Sequence, residues 1–258
     1  MNNILIKVEN LVKTFGGLVA LNDCSLEIKD KAITGIIGPN GSGKTTLFNV
    51  ITGNLKPDTG KVFYNGVEIT NEESHDLFHL GVLRTFQIAH EFSNMTVIEN
   101  LMVVPGNQKG EKLLYSLMNS QKIKKEDELI KDKAMEVLKF LKIEHLKNER
   151  AGNLSGGQKK LLELARTMMV DAKIVFLDEV GAGVNKTLLR DISDSILKLN
   201  QEKGYTFCMI EHDFNFISEL CDPVIVLAEG SVLFKGSAED VKSNEQVIES
   251  YLGKGLKK

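Results

Sequence analysis

Eight residues, Gly38-Pro-Asn-Gly-Ser-Gly-Lys-Thr45, constrain this chain more than any other stretch. They satisfy GxxxxGK[ST] at every fixed position, directly after the apolar run Ile33–Ile37 and directly before a helical pattern that opens at Thr46. Strand, glycine-rich turn and helix in that order make a phosphate cradle. The glycines let backbone N–H groups converge on phosphate oxygens, and the helix start adds the positive end of its dipole. Lys44 is placed to reach the β- and γ-phosphates as a mobile charge, and Thr45 to give its hydroxyl to Mg²⁺. A chain with this element must build an α/β core, and the chemistry indicated is that of a nucleoside triphosphate.

The rest of the chain supplies such a core. Residues 33–37, 174–177 and 205–210 are short, β-branched or aromatic, and apolar through their centres rather than alternating, the pattern of strands buried on both faces. Each runs into a polar or glycine-containing turn and then a helical pattern, so the functional loops fall at the carboxyl ends of parallel strands. Residues 5–8, 24–28 and 61–64 read as half-exposed strands of an antiparallel sheet. From Thr96 to about Lys142 the pattern turns helical, with Leu129, Ile130, Ala134, Val137, Leu138 and Leu141 on one face. The lysine-rich piece 109–125 reads as a solvated linker with a short helix. The layout expected is a single cassette over 1–258. An α/β core with its antiparallel subdomain takes 1–95 and 165–258, and a helical subdomain takes 96–164.

Composition narrows the classes. With 32 basic and 35 acidic side chains the formal charge is −3, which disfavours a partner made of nucleic acid. Cys24, Cys208 and Cys221 show no paired metal-ligand spacing and read as small buried residues. No run approaches 18 apolar residues, and charge at Lys7 and Glu9 precludes a signal-peptide core. A soluble, cytoplasmic chain is expected.

A second acidic strand follows, Ile174-Val-Phe-Leu-Asp178-Glu179. Phosphoryl transfer to water needs two anionic groups with separate tasks. Asp178, at the strand end, suits the holding of a Mg²⁺-bound water, and Glu179 suits orienting the attacking water. Between cradle and acidic strand lies Leu154-Ser-Gly-Gly-Gln158, leading into a helix with Leu161, Leu162 and Ala165 on its inner face. Serine and glycines at a helix start form an N-cap or a second anion site.

Taken together, these motifs resemble the ATP-binding subunits of ABC transporters over essentially the whole chain. The resemblance implies a P-loop ABC ATPase cassette with a parallel core sheet, an antiparallel β subdomain and a helical subdomain. It further implies that Ser155, Gly156, Gly157 and Gln158 act in trans, closing on ATP held by residues 38–46 of another subunit. Phe15 matches the aromatic that stacks on adenine, although a π face alone does not separate ATP from GTP. Gln87, in Arg84-Thr-Phe-Gln87, matches the glutamine that ligates Mg²⁺ and senses the γ-phosphate, and His212 the histidine that hydrogen-bonds that phosphate. Two positions depart from the family pattern. Val180 follows Glu179 where proline is usual, and Asn185 stands where the loop ends in aspartate. Communication across the dimer is the property those departures touch.

Within the family, residues 84–101, Ala182-Gly-Val-Asn185 and the closing segment 243–253 look like the branched-chain amino-acid importer branch. Urea or amide importers and the lipopolysaccharide exporter use similar ATPases and stay open as alternatives. The resemblance implies transmembrane permease subunits, a second ATPase subunit (identical or a sister chain) and, indirectly, a substrate-binding protein as partners. It also implies a peripheral location on the cytoplasmic face of the membrane. Ile88, Phe92, Met95 and Val97 are the apolar candidates for receiving a permease helix. A DNA- or ribosome-acting ABC ATPase lacks support from long heptads or a second cassette. A small-molecule kinase would leave 154–158 and His212 without a role.

Overall fold

The computed structural model describes residues 3–85, 91–106, 108, 120–170 and 172–252. The chain divides into two compact units. The first takes in residues 1–87, 173–181 and 196–258, the second 88–172 and 182–195.

The first unit holds two sheets. Strands β1 (Ile4–Phe15), β2 (Leu18–Lys29), β4 (Thr59–Tyr64) and β5 (Val67–Glu68) pair antiparallel in the order β2-β1-β4-β5. β1 is longer than its hydropathy suggests, because four register shifts against β2 let it bend past polar positions and carry Phe15 to its end. The second sheet contains β3 (Ile33–Ile37), β6 (Val82–Arg84), β7 (Ile174–Asp178), β8 (Thr206–Ile210), β9 (Val224–Ala228) and β10 (Ser231–Gly236), ordered β10-β9-β3-β8-β7-β6. Its inner strands are parallel and β10 closes one edge antiparallel.

Every residue of β3, β7 and β8 is buried, which is why all three read as mainly apolar runs without polar alternation. Helix α1 (Lys44–Ile51) follows β3 and sinks Leu47, Phe48, Val50 and Ile51 into the core. The Phe48 ring meets Phe176 of β7 edge to face at 5.0 Å. Short α2 (Ser74–His79) precedes β6. All three cysteines are buried, and burial pushes the Cys24 thiol up to about 12.

The second unit is helical. Helix α3 (Val97–Met102) starts with a capping box between Thr96 and Glu99, and α4 (Ser120–Phe140) and α5 (Gly156–Met168) pack with it. Ala134, Val137, Leu138 and Leu141 form the buried stripe of α4 and its exit, at i, i+3, i+4 and i+7. Two expectations change here. Residues 120–125 belong to the long helix rather than to a linker, while 109–119 lie outside the described residues. Leu129 is 71% exposed, because at 3.6 residues per turn it falls well off that stripe. The helix α6 (Lys186–Lys203) begins in this unit and passes into the first, where α7 (Phe214–Leu220), α8 (Ala238–Ser243) and α9 (Glu245–Leu252) complete the chain. Among the described residues no helix is long and apolar enough to cross a membrane.

Candidate functional site

The cradle forms where β3 gives way to α1. Gly43 caps α1 with φ at 100°, and a Cβ there would lie 2.4 Å from the carbonyl oxygen of Ala20, so glycine is required on both counts. The first-turn amides of α1 have no acceptor within the helix. Lys44 is only 6% exposed, and its Nζ donates to the carbonyls of Gly38 (2.8 Å) and Pro39 (3.1 Å). Burial pushes its ammonium pKa down, while the nearby Glu179 and Asp178 carboxylates push it up. The Ser42 hydroxyl is buried with no hydrogen-bond partner among the described residues. A poised cation, helix-start amides that have no acceptor in their own helix and a hydroxyl without a partner among the described residues make a donor set suited to a phosphate chain.

Strand register brings the other groups alongside. Ile36 of β3 pairs with Ile210 of β8, and Ile210 pairs with Asp178 of β7, so all three strands release their loops at one edge. Glu179 leaves β7 with φ at 51°, a left-handed conformation that costs a non-glycine residue on the order of 1–3 kcal/mol. Its N–H donates to the Ile210 carbonyl (3.0 Å), and its Oε1 lies 2.9 Å from Nε2 of His212. Phe15, Leu18, Ala20, residues 40–46, Glu179 and His212 line one cavity of about 260 Å³. Thus Phe15, Asn40, Gly41, Ser42, Gly43, Lys44, Thr45, Thr46, Glu179 and His212 come together, with Gly38 and Pro39 at the root of the cradle. A larger hollow of about 510 Å³ lies on the antiparallel sheet, near Asn3, Phe63 and Asn65. The cation on its wall, Lys7, is paired with Glu9 at 2.6 Å, so chemistry rather than size selects the smaller cavity.

Asp178 is held differently from the other acids. Its Oδ2 accepts from Arg84 Nη2 at 2.6 Å, with the two side chains 4% and 7% exposed. Arg84 also donates to Asn49 of α1 and lies over the Phe48 ring. Gln87 and Ile88 lie outside the described residues.

In the helical unit, Ser155 caps α5. Its Oγ accepts from the Gln158 amide and Gln158 Oε1 accepts from the Ser155 amide, a complete capping box. A Cβ on Gly157 would meet Leu188 Cδ2 at 2.1 Å, so close packing explains the second glycine. Asn185 takes a cap position, its Oδ1 accepting from the Leu188 amide at 3.0 Å, a bond that needs no charge. Phe92 and Met95 are exposed at 49% and 37%, but Val97 is fully buried. Its amide donates to the Glu149 carbonyl as α3 starts, which turns the side chain into the core.

Three features were not visible from spacing alone. Leu18 and Ala20 share the cavity wall with Phe15 because the β1–β2 hairpin folds back on itself. Arg84 reaches Asp178 only through the β6–β7 pairing. Glu211 is 5% exposed and accepts from the Gly181 amide at 2.8 Å. Its one sequence signal is a carboxylate placed directly between a mainly apolar strand and His212.

A phosphate cradle on α1, two carboxylates ending β7 and a histidine after β8 define a P-loop ATPase cassette. Comparison with known proteins assigns the family. The family model described as ABC transporter matches residues 21–182. The chain is 43% identical to a probable branched-chain amino acid transport ATP-binding protein LivG of Archaeoglobus fulgidus, over 96% of this chain and 95% of that one. It is 42% identical to the protein of the same description from Methanocaldococcus jannaschii, over 96% and 97%. Among solved structures it matches the ADP conformation of an ATP-binding cassette of an ABC transporter, with TM-score 0.83, 41% identity and coverage of 97% and 99%. It also matches a dimeric ATP-binding cassette in a post-hydrolysis state bound to ADP and phosphate, with TM-score 0.74, 25% identity and coverage of 91% and 99%. The chain belongs to the ABC transporter family, as one of its ATP-hydrolysing cassettes.

Proposed function

We propose that this chain is the motor subunit of a membrane importer of branched-chain amino acids, working at the cytoplasmic face as an ATP-sandwich dimer. The observation that carries the ATPase half is the convergence of Lys44, Glu179 and His212 on one cavity. The names of the two archaeal relatives support the cargo, and the dimeric cassette supports the assembly.

In this reading Phe15 stacks on adenine, and residues 38–46 hold the triphosphate by backbone N–H groups. Lys44 leaves the Gly38 and Pro39 carbonyls for the β- and γ-phosphates, replacing two neutral acceptors with charged ones. Thr45 would hold Mg²⁺ by its hydroxyl, Asp178 would hold a water on it, and Gln87 would supply a further oxygen. The chemistry such an ion would supply is neutralisation of the charge on the phosphates. Glu179 orients a water for in-line attack on the γ-phosphorus. The new P–O bond forms as the bond to the β-phosphate oxygen breaks, yielding ADP and phosphate. His212 Nε2, which meets Glu179 Oε1, turns to the γ-phosphate and donates there when nucleotide binds. Ser155, Gly156, Gly157 and Gln158 serve the nucleotide of the second subunit, through the helix start of α5.

Phe92 and Met95 are the exposed apolar residues suited to permease contact. Transmembrane permease subunits are direct partners, and a substrate-binding protein acts through them. The test is co-purification with the permease subunits, followed by uptake into vesicles. ATP-dependent uptake of leucine, isoleucine or valine is the expected result. ATP turnover unaffected by the permease, or uptake of a different solute class alone, contradicts the reading.

A further inference from the structure

The segment that leaves β8 holds the turn that leaves β7 at three successive points. The Ile210 carbonyl accepts from the Glu179 amide at 3.0 Å. The Glu211 carboxylate accepts from the Gly181 amide at 2.8 Å. The His212 ring meets the Glu179 carboxylate at 2.9 Å. The first of these is a backbone bond at the end of the sheet and the last joins two residues of the proposed hydrolytic site. The middle one joins a buried carboxylate to a backbone amide two residues beyond Glu179, and the chemistry of hydrolysis does not call on it.

That bond has a reason to exist. Glu179 sits at φ 51°, so the chain returns to its sheet-facing course only if something beyond it holds the strained turn. Gly181 is the next anchored point, and the acceptor on it is Glu211. Val180 stands between them, buried at 6% exposure, and leaves the backbone with no ring to restrict it. A stiff proline is absent, and a side chain from the segment that leaves β8 supplies the constraint instead. We infer that Glu211 is a positioning residue for ATP hydrolysis, fixing the Glu179 carboxylate by holding the Gly181 amide. The inference rests on Glu179 as the water-orienting group.

The task requires an acceptor rather than a charge. Burial pushes the Glu211 carboxyl upward, the Gly181 and His212 amides draw it down, and the Glu179 carboxylate adds a further upward push. Either protonation state keeps an oxygen that accepts from Gly181.

The test compares two variants of nearly equal volume. Glu211→Gln keeps an acceptor oxygen, and Glu211→Met removes it while filling the same space. Steady-state ATP turnover is measured on the full chain with Mg²⁺, alongside thermal unfolding. Glu211→Met is expected to lose at least tenfold in kcat with the KM for ATP within twofold of the parent, while Glu211→Gln stays within threefold in kcat. Parental kcat in Glu211→Met overturns the inference, and so does a rise in KM that matches the fall in kcat. If Glu211→Met does not fold, Glu211→Asp, whose shorter carboxylate retreats from Gly181, takes its place with the same two outcomes. Glu179→Gln run in parallel separates the failures. A dead Glu179→Gln beside a fully active Glu211→Met refutes only the role of Glu211, whereas an active Glu179→Gln refutes the assignment of Glu179 itself.

Discussion

Replacing Arg84 with alanine should destabilise the protein far more than a surface ion pair would suggest. Arg84 and Asp178 are 7% and 4% exposed and 2.6 Å apart, so solvent does little to screen them. Loss of the guanidinium leaves a buried carboxylate without its counter-charge, which costs about 3–5 kcal/mol. Asn49 loses a donor in the same step, adding about 1 kcal/mol at a part-buried site. Against a typical total stability of about 5–15 kcal/mol this is a large fraction. Urea unfolding followed by circular dichroism reads it directly. Asp178→Asn in the same background removes the stranded charge, so the double variant should recover more than half of the loss. Arg84→Lys should recover little, because a point charge cannot serve Asn49 and Asp178 at once. A loss below about 1 kcal/mol for Arg84→Ala refutes the reasoning. Single-variant losses that simply add, within about 0.5 kcal/mol, refute it equally.

Three further outcomes are expected. Lys44→Ala removes charge-assisted contacts worth about 1.5–3 kcal/mol, so ATP should bind roughly 10- to 150-fold more weakly in equilibrium titration. Affinity within threefold of the parent would contradict the cradle. Ser155→Ala opens the capping box of α5 and should cost about 0.5–2 kcal/mol in urea unfolding, with ATP affinity of the isolated chain unchanged because Ser155 serves another subunit. Thiol labelling with a disulfide reagent at neutral pH should proceed slowly in the native protein and at all 3 cysteines after unfolding, since burial raises their pKa values.

Much of the site is legible from sequence because its key residues are near neighbours. The cradle is contiguous, and Asp178, Glu179 and His212 each follow an apolar strand whose identity is plain from composition. Long-range pairing is what stays hidden. Arg84 and Asp178 are 94 residues apart, and only the placing of β6 beside β7 makes them partners. Glu211 looks like any polar residue after a strand until Gly181 is seen to face it. Polar helix ends mislead for a different reason. Residues 120–125 carry no apolar period, and they are helical because the buried stripe further along α4 nucleates a helix that extends back through them. The side chains of Val97 and Leu129 are both apolar, and the hydrogen bond at one and the helical phase of the other decide which is buried.

The measurement closest to the central claim is ATP turnover by Glu179→Gln. The substitution keeps the size and the hydrogen-bonding reach of the side chain and removes the charge that orients water. The variant should bind ATP with parental affinity, lose turnover by at least a hundredfold, and accumulate as a nucleotide-dependent dimer on size-exclusion chromatography. Parental turnover in that variant would contradict the account.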